Sequence, residues 1–396
     1  MSIAVHSVAA EVEPAASWHS DAAQPTCELV DLLAVPKPAW TELAARAAEP
    51  NAFYHPGWAI PAAMYADRKG GARALLAWDG PDRSRLIAIL PVVWAWSALK
   101  IPFPALVAWD GYAPLRTPLI DRDRIDDATR GLLRAAALAG AEALMLPGLP
   151  REDVIAKALR RAIASFGGHA FEFSRHLRAR LDATQDAEIA IRSLGNKKVK
   201  ELRRQRRRLA DSSAVECDFV AGGAEASAAV EQFLALEASG WKGSRGTALA
   251  KKNGNAAFLR AATAAMMAQD AAEVAVFKRG GCPIASGILL RHQRRGFFFK
   301  IAYDEAVAQF SPGVQLTIEI TRRLCDDARI DDVDSTASAD HPMIDHIWRS
   351  RLAVSDLVLP VRQGSFSPAL FAALVGFRKA ARDVVHVIRS LKGKKS

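Results

Sequence analysis

Apolar positions along this chain recur with two periods, and the period changes in blocks. In "EASAAVEQFLALEASGWKG" they return every three or four residues, the spacing of a helix with one buried face. In "EVAVFKRGG", "IASGILLRH" and "FFFKIAYDE", β-branched and aromatic runs are separated by "GGCP" and "QRRG", which predicts an antiparallel meander of three strands. The first half reads as a loop and helix ("FYHPGWAIPAAMYADR"), then the strands "ARALLAWDG" and "RLIAILPVVWAW". A Pro-rich strand region follows to Ile120, then the helix "DRDRIDDATRGLLRAAALAG", the strand "EALMLPG", the helix "REDVIAKALRRAIASFGG" and the strand "HAFEFSRHLRARLD". The second half reads as three helices, the meander, a loop, the helix "QLTIEITRRLCDDARI", the strand "DDVDSTAS" and a helix over "HPMIDHIWRSRL". Both halves therefore run helix, antiparallel strands, helix, strand, helix. That predicts two similar α/β (α+β) domains in tandem, each a mixed, mostly antiparallel sheet flanked by helices. The expected divisions are an arm over 1–26, a first domain over 27–184, a second over 185–355, and a C-terminal extension with a basic tail over 356–396.

Length agrees with two domains, since 396 residues exceed one ordinary core. Half of the residues are hydrophobic and 24% are charged, the balance of a chain that buries large cores. The net charge of +10 is concentrated in two places. Residues 197–208 carry eight Lys or Arg against Glu201, a local +7, and the tail from Phe377 carries seven against Asp383, a local +6. The rest is near −3. Two basic segments on an otherwise slightly acidic chain suit an acidic small molecule, a tethered polyanion or an anionic membrane surface. Val199, Leu202 and Leu209 give the first segment one weak apolar face, interrupted at Arg206. No stacking aromatics or reading motif accompany it, which argues against nucleic acid. In the tail, Val384, Val385, Val387, Ile388 and Leu391 among the cations fit an amphipathic helix on a membrane surface or a closing helix with a frayed end.

Cys27, Cys217, Cys282 and Cys325 stand far apart, without metal-ligand spacing, and read as reduced thiols of a cytoplasmic protein. His341 and His346 are five apart, off the spacing of a helical zinc site, and no metal is expected. No positive segment followed by an apolar run opens the chain, so no secretory signal is expected. The most apolar stretch, residues 86–109, contains Lys100, Pro91, Pro102 and Pro104, which fits strands and loops rather than a spanning helix.

The unit richest in chemistry is the strand "FFFKIAYDE", the loop "QFSPG" and the helix that begins near Val314. A small-residue turn between a strand and a helix leaves backbone N–H groups unpaired at the positive end of the helix dipole, where phosphate binds. Gly313 permits close approach of backbone and Pro312 fixes the turn. The same sequence also suits an ordinary helix cap. Glu237 lies seven residues beyond Val230 on the face that Phe233 and Leu234 continue. A carboxylate there either is desolvated and serves as a general base, or swings to solvent or pairs with Lys242. In "GWKGSRGTAL", Trp241 would pack over a pocket and Lys242 and Arg245 would meet anions, or the segment is a plain anchored loop. There is no Gly-x-Ser-x-Gly elbow, Walker Gly-Lys-Ser/Thr or Rossmann Gly-x-Gly-x-x-Gly.

The ordered set "LRRQRRRL", "LEASGWKGSRGTAL" and "YDEAVAQFSPGVQL" resembles the CelD/BcsL-type acetyltransferases of the Gcn5-related N-acetyltransferase (GNAT) superfamily, over about the C-terminal half. The tandem layout is similar to that of the Fem-type peptidyltransferases. The resemblance implies a pyrophosphate loop at Gln309, Phe310, Ser311, Pro312, Gly313, Val314 and Gln315, with Pro and Gln where the family pattern places Gly. It implies acetyl-CoA or another acyl-CoA as co-substrate and Glu237, Tyr303 and Asp304 as proton carriers. Trp241, Lys242, Asp334 and Asp340, and less directly His341, would face the acceptor. The first half shows no such loop. The expected function is direct acyl transfer to an amine or hydroxyl of a small molecule or glycan precursor, in exopolysaccharide or cell-envelope metabolism. The alternatives are a Fem-like transfer from aminoacyl-tRNA and a catalytically degenerate binding module.

Overall fold

The computed structural model describes the two-residue strand His6–Ser7 and residues 25–67, 71–211, 213–240, 243, 245–362 and 367–379. The first half places β1 (Thr26–Asp31), α1 (Lys37–Ala45), α2 (Pro56–Tyr65), β2 (Arg73–Trp78), β3 (Leu86–Trp94), α3 (Ala95–Leu99), β4 (Ala105–Ala108), α4 (Ile125–Leu138), β5 (Ala143–Pro150), α5 (Val154–Ala164) and β6 (Phe171–Asp182). The second half places α6 (Ala187–Arg192), α7 (Asn196–Ala210), β7 (Val215–Val220), α8 (Ala226–Ser239), α9 (Asn253–Met267), β8 (Ala272–Arg279), β9 (Cys282–His292), β10 (Arg295–Tyr303), α10 (Pro312–Asp326), β11 (Asp332–Asp334), α11 (Ile344–Ile347) and β12 (Ser350–Pro360).

All of the described strands join one mixed sheet. Its order is β1-β2-β3-β4-β5-β12-β6-β11-β10-β9-β8-β7. The two halves repeat one pattern. β1 to β4 are antiparallel and β5 is parallel to β4; β7 to β10 are antiparallel and β11 is parallel to β10. The sixth strand of each half is exchanged: β6 pairs with β11 of the second half and β12 pairs with β5 of the first. The exchanged strands then pair with each other, antiparallel, in the middle of the sheet.

The local sequence explains most elements. β3 is apolar without alternation because both of its faces are covered. Asp126 and Asp127 occupy the first turn of α4, where the helix dipole favours acids. Asp153 caps α5 by accepting from Ala156 N at 2.6 Å. In α7, Leu202 and Leu209 are buried as their spacing predicts. Arg206, which interrupts the stripe, pairs with Glu319 of α10, and its guanidinium lies 5.4 Å from the Phe277 ring centroid. Its alkyl stem and paired head let a charged residue occupy that face.

One expectation is corrected. The helix over "HPMIDHIWRSRL" is only Ile344–Ile347; the chain turns extended at Trp348 and continues as β12. β12 spans Ser350–Pro360. The strand Val215–Val220 between the basic helix and α8 went unseen, because its three charged or thiol-bearing residues dilute the apolar signal. Most of the arm over 1–26 and the tail beyond 379 lie outside the described residues.

The halves also share a core. Phe53 and Trp58 of the first half meet Phe297, Phe299 and Phe258 of the second at ring-centroid distances of 4.7–5.9 Å, mostly edge to face. Each such contact contributes about 1 kcal/mol beyond the area it buries. Beside this seam His292 accepts from Asn51 N at 2.8 Å through Nδ1, while Nε2 lies 2.9 Å from Ala44 O. Both nitrogens are thus used by a neutral ring, and burial holds the His292 pKa down at about 4. Burial, together with His292 nearby, lowers that of His55 to about 3.

A histidine kept neutral by the fold but free to charge when unfolded contributes stability above its ordinary pKa of 6.5, and that contribution is lost as pH falls toward the folded value. We expect His292 to cost about 2 kcal/mol of stability between pH 7.5 and 5. Asp153, pushed up to about 7 by burial, acts in the opposite sense, so the test is a difference. Urea unfolding of wild type and His292→Gln should show a shallower pH slope in the variant; equal slopes would remove the histidine from the account.

Candidate active site

The strand β10 pairs with β9 on both sides of a bulge at Phe299, where Ile288 opposes Lys300 and Leu289 opposes Phe298. On its other side the parallel ladder with β11 holds for three pairs, Arg295 to Asp332, Gly296 to Val333 and Phe297 to Asp334, and then ends. A bulge re-aims side chains and bends the strand. Beyond Phe297 the two strands part, and Thr336 Oγ1 donates to Phe298 O at 2.7 Å across the start of the gap.

A cleft of about 460 Å³ fills this opening, a size suited to a small ligand. Phe298, Phe299, Lys300 and Ile301 form one wall, and Ser335, Thr336 and Ala337 the other. His341, Met343 and Ile344 close one side. The roof comes from the first half: Asp110, Tyr112, Ala113, Pro114 and Arg116, on the loop after β4. This loop is rigidly held. Tyr54 Oη donates to Trp109 O at 2.9 Å, and Asn51 Nδ2 donates to Leu115 O and Thr117 O. Tyr112, at φ +58°, stacks on Phe258 with centroids 5.1 Å apart. Gly111, at φ +31°, has no room for a side chain, because a Cβ would lie 2.5 Å from the Trp109 ring.

Glu237 is buried, as its helical stripe with Val230, Phe233 and Leu234 predicts. Its Oε2 accepts from Leu249 N at 2.8 Å, and its Oε1 accepts from Lys300 Nζ at 3.1 Å. Lys300 lies on the cleft wall, so Glu237 meets the cleft through Lys300. Tyr303 ends β10 and is more than one-third exposed. Asp304 Oδ1 accepts from Ala306 N at 2.9 Å and so caps the turn Glu305–Phe310.

Gln309–Gln315 stands at the far end of β10 from the ladder and does not line the cleft. Gly313 connects the two: a Cβ there would lie 3.2 Å from Tyr303 Cδ1 and 3.8 Å from Ile301 Cδ1, and Ile301 lines the wall. Ser311 is left-handed at φ +52°, Pro312 takes the first helical position, and the α10 N-terminus has no side-chain cap. Gln315 Nε2 donates to Phe310 O at 2.7 Å and pins the loop. Phe310 and Val314 are half-buried and Gln309 is exposed.

Asp334 is buried at the last rung of the β10–β11 ladder. It pairs with Arg178 of the exchanged strand β6 and accepts from Thr336 N at 2.8 Å. Arg178 also donates to Pro114 O in the roof loop at 3.2 Å. Asp340 is exposed, at φ +55°, and His341 Nδ1 accepts from Met343 N at 3.3 Å. Trp241 and Lys242 lie outside the described residues.

A family profile for "Acetyltransferase (GNAT) domain" matches residues 196–341. The chain therefore contains a GNAT-type domain. Among solved structures it resembles FemX at 8% identity and a TM-score of 0.55, over 84% of this chain and 96% of that one. It resembles a conserved protein of unknown function from Bacteroides thetaiotaomicron at 10% identity and a TM-score of 0.53, over 85% and 100%. It resembles a C-terminal domain assigned to a lysylphosphatidylglycerol synthetase from Agrobacterium fabrum at 12% identity and a TM-score of 0.50, over 86% and 95%. At these identities the likeness is one of fold, and it extends over both halves. No match was found among curated proteins. The GNAT-type match covers both walls of the cleft, the bulged strand and the loop before α10, but not the roof, and it supports acyl transfer.

Sequence reasoning missed Lys300, Arg178, Asp110, Tyr112 and Arg116. The first was visible as a lone cation in the apolar run "FFFKIA"; the roof residues carried only a turn signal, "WDGY".

Lys300 is part-buried and Glu237 fully buried, so removing the cation leaves a buried carboxylate with one partner fewer. Lys300→Met should lower stability by about 3 kcal/mol, and Glu237→Gln in the same chain should restore part of it. Denaturant unfolding of the two single variants and the double variant checks this; additive losses would mean that the pair is not coupled.

Proposed function

We propose that this protein is an acyl-CoA-dependent acyltransferase whose reaction takes place in the cleft between β10 and β11. The observation that carries the reading is the early end of the β10–β11 ladder, which opens a ligand-sized gap next to the uncapped N-terminus of α10. An acyl-pantetheine arm would lie along the β10 edge in the gap, with its pyrophosphate at Gly313 and Val314, where backbone N–H groups and the helix dipole favour anions. The acceptor would enter beneath Asp110, Tyr112 and Arg116.

In the reaction, the acceptor nitrogen or oxygen bonds to the acyl carbon and the carbon–sulfur bond breaks. The acceptor's proton leaves to a base and the departing thiolate takes up a proton. Backbone N–H groups on β10 would polarise the carbonyl. Tyr303, exposed at the end of β10 beside Gly313, suits protonation of the thiolate. Glu237 would accept the acceptor's proton by way of the Lys300 ammonium that it holds. Asp304 and Asp334 would position the turn and the ladder end, and Asp340 and His341 would border the acceptor. The acceptor class we infer is a small amine or alcohol, with a glycan precursor in cell-envelope metabolism as the one the sequence resemblance implies.

Titration calorimetry with acetyl-CoA and a long-chain acyl-CoA tests this. We expect micromolar binding of one donor, weakened about tenfold or more by Gly313→Glu at the phosphate end and by Ala337→Trp in the cleft wall. Two blocking sites keep the result readable if one variant is unstable. Absence of heat and of thermal stabilisation with either donor would overturn the CoA reading. Tight, salt-sensitive binding of aminoacyl-tRNA in its place would favour the Fem-like donor.

A further inference from the structure

The helix over 367–379 carries two apolar stripes. Phe371, Ala372 and Val375 face inward, in a cluster with Ala105, Val107, Met145 and Val358, and Phe371 stacks on Phe103 at 5.1 Å. Leu370, Leu374 and Phe377 face outward with 58%, 39% and 74% of their surface exposed. Trp96, 58% exposed, stands on α3, whose Ala95 and Leu99 pack into the same cluster. Lys100 Nζ lies 5.7 Å from the Trp96 ring centroid, and Lys379 is exposed and bonded to Ser174. Large apolar residues in one exposed row need a partner.

We propose that this row docks the protein onto an anionic lipid bilayer. Charge selects that occupant. Arg378 and Lys379 follow the row directly, and from there to the end of the sequence Lys and Arg number seven against Asp383. The apolar spacing also continues in the sequence: Ala381, Val384, Ile388 and Leu391 follow Phe377 in steps of four, three, four and three. An apolar row flanked by cations and an aromatic belt residue is what the boundary between headgroups and acyl chains accommodates. A second copy of this chain would bring seven more cations against the first set. The inference is independent of the catalytic reading, since none of these residues lines the cleft.

The test is sedimentation of the full-length protein with phosphatidylcholine vesicles and with vesicles also containing phosphatidylglycerol. We expect partition onto the second only, weakened by added salt. Leu370→Ser, Leu374→Ser and Phe377→Ser together should reduce it about tenfold or more without moving the thermal midpoint, because the three positions are exposed. No partition onto either vesicle would overturn the proposal. So would partition that the triple substitution leaves unchanged, which would transfer binding to the basic face of α7. A dimer that the same substitution dissolves, or binding to RNA that it abolishes, would assign the row to those partners instead.

Discussion

Strand β6 leaves the half that precedes it and hydrogen-bonds to β11, while β12 returns from the second half to β5, and the two then pair with each other. Without β12 the first half would end on β5 with an open edge; without β6 the second would end on a three-residue β11. Unpaired edges of this kind are sites of misassociation. The exchange satisfies both at once and makes each half's sheet complete only in the other's presence. The aromatic seam of Phe53, Trp58 and Tyr112 against Phe258, Phe297 and Phe299 then forms across halves already tied by backbone hydrogen bonds.

The cleft follows from the same exchange. Arg178 sits on the borrowed strand, and from there it neutralises Asp334 at the last rung of β11 and holds the roof loop at Pro114. A buried arginine–aspartate pair repays its desolvation only when geometry and further hydrogen bonds are good. Here Thr336 N supplies one such bond, and it lies just where β11 departs from β10. The point at which the ladder stops is thus fixed by a charge pair that spans both halves.

Much of this fold was legible in the sequence because its elements carry undiluted signals. The β8–β10 meander, with turns at Gly280 and Gly281, and the amphipathic α8 are decided by local pattern, and Glu237 could be placed on a buried face by counting alone. The destination of a strand is a different kind of information. Nothing within "RLAVSDLVLP" says that it pairs with β5 and not with β11, and the short helix before it blurred its start. Glu237 shows the same limit on a single residue. Its place on the apolar stripe was readable and burial was one of two readings, but its partner Lys300 is 63 positions away and depended on where β10 lies. Asp110 and Arg116 belong to a loop whose residues look like any turn until the exchange brings them over the other half's strands.

The two halves repeat a topology, but one pair of equivalent loops differs between them. In each half the chain leaves the fourth strand, passes through a loop and enters a helix, with a parallel fifth strand paired over only three residues. In the second half that loop is short, turns at Ser311 and leads straight into α10, so its helix N-terminus stands beside the gap. In the first half the loop is longer. It is pinned by Asn51 and Tyr54, and its Gly111 and Tyr112 adopt positive φ. It then reaches Phe258, Pro114 meets Arg178, and Asp110 and Arg116 face the second half's cleft. Equivalent segments have thus diverged into complementary roles, one framing the cleft from its own strand and the other roofing it from across the seam. The cleft is thus lined by residues of both halves.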